Sequence, residues 1–454
     1  MVRKDPMLSY PLGEEFERYE QPTVDLEGAR VLIFGINYWP EPTGIAPYTT
    51  EIAEYMAARG ARVKVIAGLP HYPDWRVAPP YDKGFRFRQV HNGVEIIRLR
   101  HSVPGKMTVA RRAAYEASYF AHAVLQTFSE HPDLIVAATP ALGGARAAAV
   151  VAQRTKAPLL IHVQDLMAKA ADQSGMSGSQ RLSSMTGRFE GRALRAADQV
   201  LVISDTFREA VASYGVDDER ISVLENWTRI TASSLSRDEA RMRLGWPATR
   251  FLAVHTGNMG FKQDLGNVIE AARHLGDKRI EIVLVGHGSQ RHELEKQAAG
   301  LGTVRIVDLV DDETYPHVLA AADVLLVNER PSVEQMSMPS KVTSYLAAGR
   351  PIVAAVADGG ATHRFVNATV GAALTVDPGR PRVLADTLEG LVGRERLLAD
   401  MGRRAKVFSQ THLEAEVALA KFGALAASLL GAGRDPSRGR GKIRPLRALE
   451  LQQT

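Results

Sequence analysis

Short runs of β-branched and other apolar residues recur along the chain, each bounded by glycine, proline or polar positions. In the first half they lie at Arg30–Ile36, Val63–Ala67, Val94–Leu99, Leu134–Ala138, Leu159–Val163, Val200–Ile203 and Ser222–Leu224. In the second half they lie at Phe251–His255, Glu281–Val285, Val304–Val307, Val324–Val327, Ile352–Ala355 and Ala372–Val376. Several are apolar at successive positions, as in strands of a parallel sheet covered by helices on both faces. The segments between them, such as Tyr48–Arg59, Leu265–His274, Ser340–Ala348 and Val383–Val392, have the length and periodicity of amphipathic helices. Strand–helix alternation of this kind predicts the α/β class with doubly wound, Rossmann-like domains.

The alternation breaks once, over the polar stretch Thr228–Arg250, and restarts at Phe251. The simplest partition is a disordered acidic head over 1–28, a domain over 29–228, a linker over 229–250, a second domain over 251–405, a last apolar helix within 406–430 and a disordered basic tail over 431–454.

Composition removes whole classes of chemistry. The chain has no cysteine, which excludes disulfides, thiolate nucleophiles, iron–sulfur clusters and cysteine zinc sites. The formal charge of +5 suggests a nucleic-acid or membrane binder until its distribution is read. Residues 1–28 carry net −4 and residues 432–454 net +4, so the two ends cancel. What remains is a concentration at 76–112, net +7, where Arg76, Lys83, Arg86, Arg88, Arg98, Arg100, Lys106, Arg111 and Arg112 face only Asp82 and Glu95. Interleaved with Trp75, Tyr81, Phe85 and Phe87, this segment suits an anionic membrane surface or a lipid diphosphate, or forms a solvated basic face. No RNA-binding motif accompanies it, so no nucleic-acid partner is expected. The polar, acidic N-terminus has no signal-peptide core, and no apolar run reaches the length of a membrane span. A cytoplasmic protein, peripheral on the inner face of the membrane, is the expectation.

In open parallel sheets the loops after the strands' carboxyl ends carry function. After Arg30–Ile36, Gly44 either makes a simple turn or lets helix N–H groups approach a phosphate or sugar oxygen. After Leu159–Val163 come Gln164 and Asp165, where a carboxylate caps a helix or binds substrate hydroxyls. Phe251–His255 runs into Gly257-Asn258-Met259-Gly260-Phe261-Lys262, a glycine-rich turn with one lysine before a helix. Free amides plus a lysine suit a diphosphate, although a solvated lysine reads equally well. Gly286 and Gly288 end the next strand in a tight turn. Pro339 suits a helix start, leaving Ser340 and Lys341 in a first turn, with Glu334 in the loop before it. A lysine there opposes the helix dipole, which points to an anionic ligand.

Taken in order, the N-terminal glycine loop, Val163-Gln-Asp-Leu166, Asn226-Trp227, Gly257-Asn-Met-Gly-Phe-Lys-Gln263, Val285-Gly-His-Gly288 and Pro339-Ser-Lys followed by Leu346-Ala-Ala-Gly-Arg-Pro351 resemble the family 4 retaining glycosyltransferases of GT-B fold, most closely the colanic-acid biosynthesis type. The resemblance spans about residues 30–430. It implies two facing doubly wound domains, the second holding a nucleotide-diphosphate sugar and the first the acceptor, with the last helix crossing back to the first. Carried over by position, Gly257, Asn258, Gly260, Lys262, Gly286, Ser340 and Lys341 would surround the diphosphate, with Gly44 approaching it from the other lobe. Glu334 would sit near the donor sugar and Asp165 near the reacting centre, giving Asp165, Lys262 and Glu334 as the catalytic set.

The sequence departs from the broad family pattern at three positions. Ser344 stands where a ribose-holding glutamate is often found, Asn258 where an arginine often follows the phosphate-loop glycine, and Gln164 where a His-Asp pair is common. The absence of an Asp-x-Asp triplet removes the usual signature of a metal-bridged diphosphate. The expectation is therefore a metal-independent, retaining hexosyltransferase of polysaccharide or exopolysaccharide biosynthesis. It would use no cofactor and act on a saccharide acceptor, lipid-linked. A nucleotide-sugar 2-epimerase of the same architecture, an inactive homologue and a two-lobed solute-binding protein are the alternatives.

Overall fold

The computed structural model describes residues 24–42, 44–105, 108–166, 180–332 and 340–433. Glu334, Lys106 and most of the acidic head and basic tail lie outside these residues. The chain divides into two units, one built on Gln21–Glu225 with the segment from Ala418 onward, the other on Asn226–Val417.

In the first unit, the apolar runs form β1 Arg30–Phe34, β2 Arg62–Gly68, β3 Arg86–His91, β4 Val94–Leu99, β5 Leu134–Thr139, β6 Leu159–Val163, β7 Gln199–Val202 and β8 Ile221–Val223. They join in the order β3-β4-β2-β1-β5-β6-β7-β8. All pair in parallel except β3, which lies antiparallel on β4 at the edge. In the centre Ile33 of β1 is in register with Val65 on one side and Val136 on the other. Both faces of β5 and β6 are buried, as continuous apolar runs require. Alanines of the helix Leu142–Thr155 and Tyr119 of the helix Val109–Gln126 belong to the core on this sheet.

Strand β3 is absent from the sequence reading. Its Arg-Phe-Arg-Gln-Val-His run is exposed at every other residue, so it carries no apolar run. Asn92 and Gly93, both at positive φ (44° and 78°), form the tight hairpin turn that joins it to β4.

This hairpin also changes the basic segment. Arg98 is fully buried, donates to Gln89 Oε1 at 2.7 Å and to the Trp39 carbonyl, and lies 5.1 Å from the Tyr81 ring centroid. Arg88 pairs with Glu95 at 2.7 Å, Arg112 with Glu116 at 2.7 Å, and Arg100 donates to the Gly84 carbonyl at 2.9 Å. The net +7 is therefore not one uniform surface. Arg76, Lys83, Arg86 and Arg111 remain exposed, as does Arg88 in its pair with Glu95, and Phe85 is 67 % exposed.

In the second unit, β9 Phe251–Thr256, β10 Ile280–Val285, β11 Val304–Val307, β12 Val324–Asn328, β13 Ile352–Ala355 and β14 Ala373–Val376 pair in parallel in the order β11-β10-β9-β12-β13-β14. Numbered within the unit, this is 3-2-1-4-5-6, the dinucleotide-fold order whose ligand crevice opens where the connections diverge, at the carboxyl ends of β9 and β12.

The stretch 229–250, read as a linker, contains the helix Arg237–Leu244, closed by a Ser236–Glu239 capping box and by Gly245 in the left-handed region. Its sequence is polar nearly all round, which hides it from a periodicity search. The burial is done by Arg241, 1 % exposed, which pairs with Asp323 at 2.6 Å and donates to the carbonyls of Ala321, Ala248 and Arg250. This helix thus belongs to the second unit, which starts at Asn226 and runs to Val417 instead of spanning 251–405.

The final helix, Ala415–Gly433, packs on the first unit. A Cβ added at Gly423 would lie 2.8 Å from Tyr55 on the helix Ala46–Ala58. Among the described residues no helix is long and apolar enough to cross a membrane.

Candidate active site

At the carboxyl end of β9 the chain turns sharply through Gly257, whose φ of +104° only glycine adopts without strain. The neighbouring turn after β10 presses against it. A Cβ on Gly286, at φ +147°, would fall 1.9 Å from the Gly257 carbonyl oxygen, so a side chain there would push the two turns apart. Backbone bonds lock the pair, with Gly257 N–H donating to Val285 O at 2.8 Å and Met259 N–H to His287 O at 2.9 Å. Asn258 is exposed on this double turn and Gly260 buried beneath it.

Lys341 comes to the same place from the helix Ser340–Ala347. Its Nζ lies 3.9 Å from the point a Gly257 Cβ would occupy and 3.1 Å from His255 Nε2. His255 is fully buried, and its Nδ1 donates to the Leu326 carbonyl at 3.1 Å, which leaves Nε2 as an acceptor for the ammonium. Burial, and then the Lys341 charge, hold this imidazole well below its ordinary pKa and therefore neutral. Burial also pushes Lys341 down to about 8, against an opposing pull from Glu329. Glu329 follows β12, is 8 % exposed, accepts from Thr362 Oγ1 at 2.9 Å and is raised above the usual carboxylate range by burial. Lys341, in the first turn of its helix, thus places positive charge beside backbone that leaves no side chain in the way.

Two further networks shape this edge. Asn328, at the end of β12, donates to the carbonyls of Gln263 and Asp264 at 2.8 and 3.0 Å and accepts from Asn267 at 2.8 Å, pinning the turn that carries Lys262. Lys262 itself is exposed, on the turn Phe261–Gln263, and its carbonyl accepts from Arg330 N–H at 2.9 Å. Thr256 Oγ1 lies 3.2 Å from the Tyr315 hydroxyl and 3.1 Å from the Tyr345 hydroxyl, and Ser344 hydrogen-bonds Tyr315. A neutral hydroxyl cluster therefore occupies the position where a carboxylate at 344 would stand.

The sequence-derived residues separate by unit. Gly257, Asn258, Gly260, Gly286 and Lys341 converge on one edge of the second sheet, with Lys262 in the adjoining turn and Ser340 heading the helix. Gly44 and Asp165 lie at the carboxyl edge of the first sheet, after β1 and β6. Gly44 has φ +70° with the Tyr72 ring against it. Asp165 Oδ1 accepts from Leu166 N–H at 2.8 Å, and its carbonyl accepts from Thr139 Oγ1 at 3.1 Å. Gln164 lies 2.9 Å from Nε2 of His162, which burial pushes down to about 4. His255, Thr256, Asn328 and Glu329 were not singled out from sequence, because they sit at the ends of apolar runs that read as core.

Two family descriptions match this chain: the glycosyl transferase 4-like domain over residues 43–227 and the glycosyl transferases group 1 domain over 250–394. The chain belongs to the GT-B glycosyltransferases. This glycosyltransferase is 28 % identical over 408 residues to the Escherichia coli protein described as the colanic acid biosynthesis glycosyl transferase WcaI, covering 87 % of this chain and 98 % of that one. It is 30 % identical over 194 residues to the GDP-mannose-dependent phosphatidylinositol dimannoside mannosyltransferase of Mycobacterium tuberculosis, covering 42 % of this chain and 48 % of that one. Among solved structures, Anabaena HepE in complex with UDP superposes with a TM-score of 0.64 at 18 % identity, over 87 % of this chain and 98 % of that one. WaaG, of lipopolysaccharide biosynthesis, superposes with a TM-score of 0.60 at 18 % identity, over 87 % and 99 %.

Proposed function

We propose that this glycosyltransferase moves a sugar, with retention at the anomeric carbon and without a metal, from a nucleotide-diphosphate sugar to a lipid-linked saccharide acceptor in polysaccharide biosynthesis. The observation that carries the donor half is the convergence of Lys341, neutral His255 and the Gly257–Gly286 double turn at the switch point of the second sheet. Charge develops on the departing diphosphate as the carbon–oxygen bond breaks. The residues needed are therefore cations and N–H groups fixed beforehand, more than a nucleophile. Lys341, the first turn of its helix and Lys262 supply them, while Asp165 and Glu334 serve the sugar side.

The complexes of HepE with UDP and with UDP-glucose support the donor class, and the likeness to WcaI supports polysaccharide biosynthesis. The relatives named above are glycosyltransferases, which leaves the epimerase reading without support. The membrane-facing role rests on exposed Arg76, Lys83, Phe85, Arg86 and Arg111, fewer groups than the whole of 76–112, and the enzyme would work at the cytoplasmic face. Thermal shift with UDP-, GDP- and dTDP-sugars in EDTA identifies the donor. Lys262→Ala should then abolish donor turnover without changing the melting temperature of the free protein, and near-normal turnover would remove Lys262 from the site.

A further inference from the structure

In the first unit a buried carboxylate ties together the loops that follow β1 and β2. Glu41 is 6 % exposed, and its Oε1 accepts from the backbone N–H groups of His71 at 2.8 Å and Tyr72 at 2.9 Å. Its Oε2 accepts from Asn37 Nδ2 at 2.8 Å. An ion this deep is tolerated because three donors replace its water. His71, 3 % exposed, completes the arrangement. Its Nδ1 donates to the Leu69 carbonyl at 2.8 Å and lies 3.4 Å from Glu41 Oε1, and its Nε2 hydrogen-bonds the Tyr115 hydroxyl at 3.2 Å. Behind it, 5.0 Å ring to ring, is His101, which burial pushes down to about 3 and whose buried Nε2 has no hydrogen-bond partner.

What this network fixes is the backbone beneath an aromatic surface. Tyr72 is 36 % exposed; its ring packs on Gly44 with Cε1 3.2 Å from the Cβ position and meets the Trp75 ring edge-on at 6.1 Å. Trp75 is held at φ +51°, a conformation uncommon for a bulky residue, with its ring against His71 at 5.6 Å and Tyr115 at 5.9 Å. A buried carboxylate in the loop after β1 thus holds the loop after β2, which carries a strained tryptophan and an exposed tyrosine at the ligand-binding edge of a parallel sheet.

We propose that Tyr72 is a stacking platform for a pyranose ring of the acceptor, and that Glu41 is the positioning residue that fixes it. A pyranose presents a face of C–H bonds that fits an exposed aromatic ring, and its hydroxyls need polar partners at the rim. This rests on the saccharide-acceptor reading above.

Saturation-transfer NMR on the full chain, with UDP present and methyl glycosides of glucose, galactose, mannose and fucose as probes, tests it. At least one glycoside should receive saturation from the wild-type protein. Its affinity should fall roughly tenfold in Tyr72→Ala and be kept in Tyr72→Trp. Glu41→Ala should reproduce the loss and Glu41→Gln should restore part of it. Tyr72 is 36 % exposed and Tyr72→Ala keeps the backbone N–H that Glu41 holds, so the substitution does not threaten folding. Unchanged glycoside binding in Tyr72→Ala, or no saturation of any glycoside by the wild type, overturns the proposal. Nucleotide-sugar thermal shifts in the same samples report separately on the donor reading, which fails only if the wild type shows none.

Discussion

Lys341 Nζ sits 3.1 Å from Nε2 of His255, and the imidazole is committed as acceptor because its Nδ1–H is donated to the Leu326 carbonyl. A cation in the first turn of a helix opposes the dipole and loses water as well. The neutral histidine and Glu329 offset part of that cost, and the charge is left available to an anion.

Donor binding should depend on pH through this lysine. Lys341, pushed down to about 8, is protonated below that pH and neutral above it. The attraction for a diphosphate is therefore intact near neutrality and lost as pH rises through 8, by up to roughly tenfold per unit. Calorimetric titration of the preferred nucleoside diphosphate across this range, in buffers of different ionisation heat, should also register proton uptake on binding. Affinity that is flat with pH would place the diphosphate away from Lys341.

Replacing His255 by Phe removes the acceptor and leaves the half-buried ammonium with only the pull of Glu329, a loss of about 1–3 kcal/mol. Nucleotide-sugar affinity should fall and the alkaline limit should move to lower pH. His255→Gln, which can still accept from Lys341, should recover much of both in the same titrations.

Asp323 tests the packing beneath this edge. It is 6 % exposed, pairs with Arg241 at 2.6 Å and Arg237 at 2.7 Å, and accepts from Leu252 N–H at 2.6 Å. Asp323→Ala strands a buried guanidinium and should cost about 3–5 kcal/mol in denaturant unfolding. A loss under 1 kcal/mol would mean that the helix Arg237–Leu244 is not anchored there.

How much of this is legible from sequence depends on what each residue is surrounded by. The parallel strands announce themselves because continuous apolar runs need cover on both faces, and the glycine turns because β9 and β10 end abruptly. Strand β3 and the helix Arg237–Leu244 stay hidden, since one is half in solvent and the other is held by a buried arginine. Gly257 and Lys341 stand out by motif. His255 and Glu329, which set the charge state of Lys341, do not, because their roles come from strands adjacent in the sheet and distant in the chain.

The basic segment makes a separable prediction. Lys83→Glu with Arg86→Glu should weaken co-sedimentation with anionic phosphatidylglycerol vesicles by about 1 kcal/mol per replaced charge and leave the melting temperature unchanged. Arg98→Ala should do the opposite, lowering stability without a specific effect on vesicles, because that guanidinium is fully buried.

On the proposed reading, Lys341 and the double turn hold the diphosphate of a nucleotide sugar without a metal. Thermal shift of wild-type and Lys341→Met proteins with UDP-, GDP- and dTDP-sugars in EDTA tests it most directly. One of these donors should stabilise the wild type, and the stabilisation should disappear in Lys341→Met. No stabilisation of the wild type in EDTA, or equal stabilisation of both proteins, would contradict it.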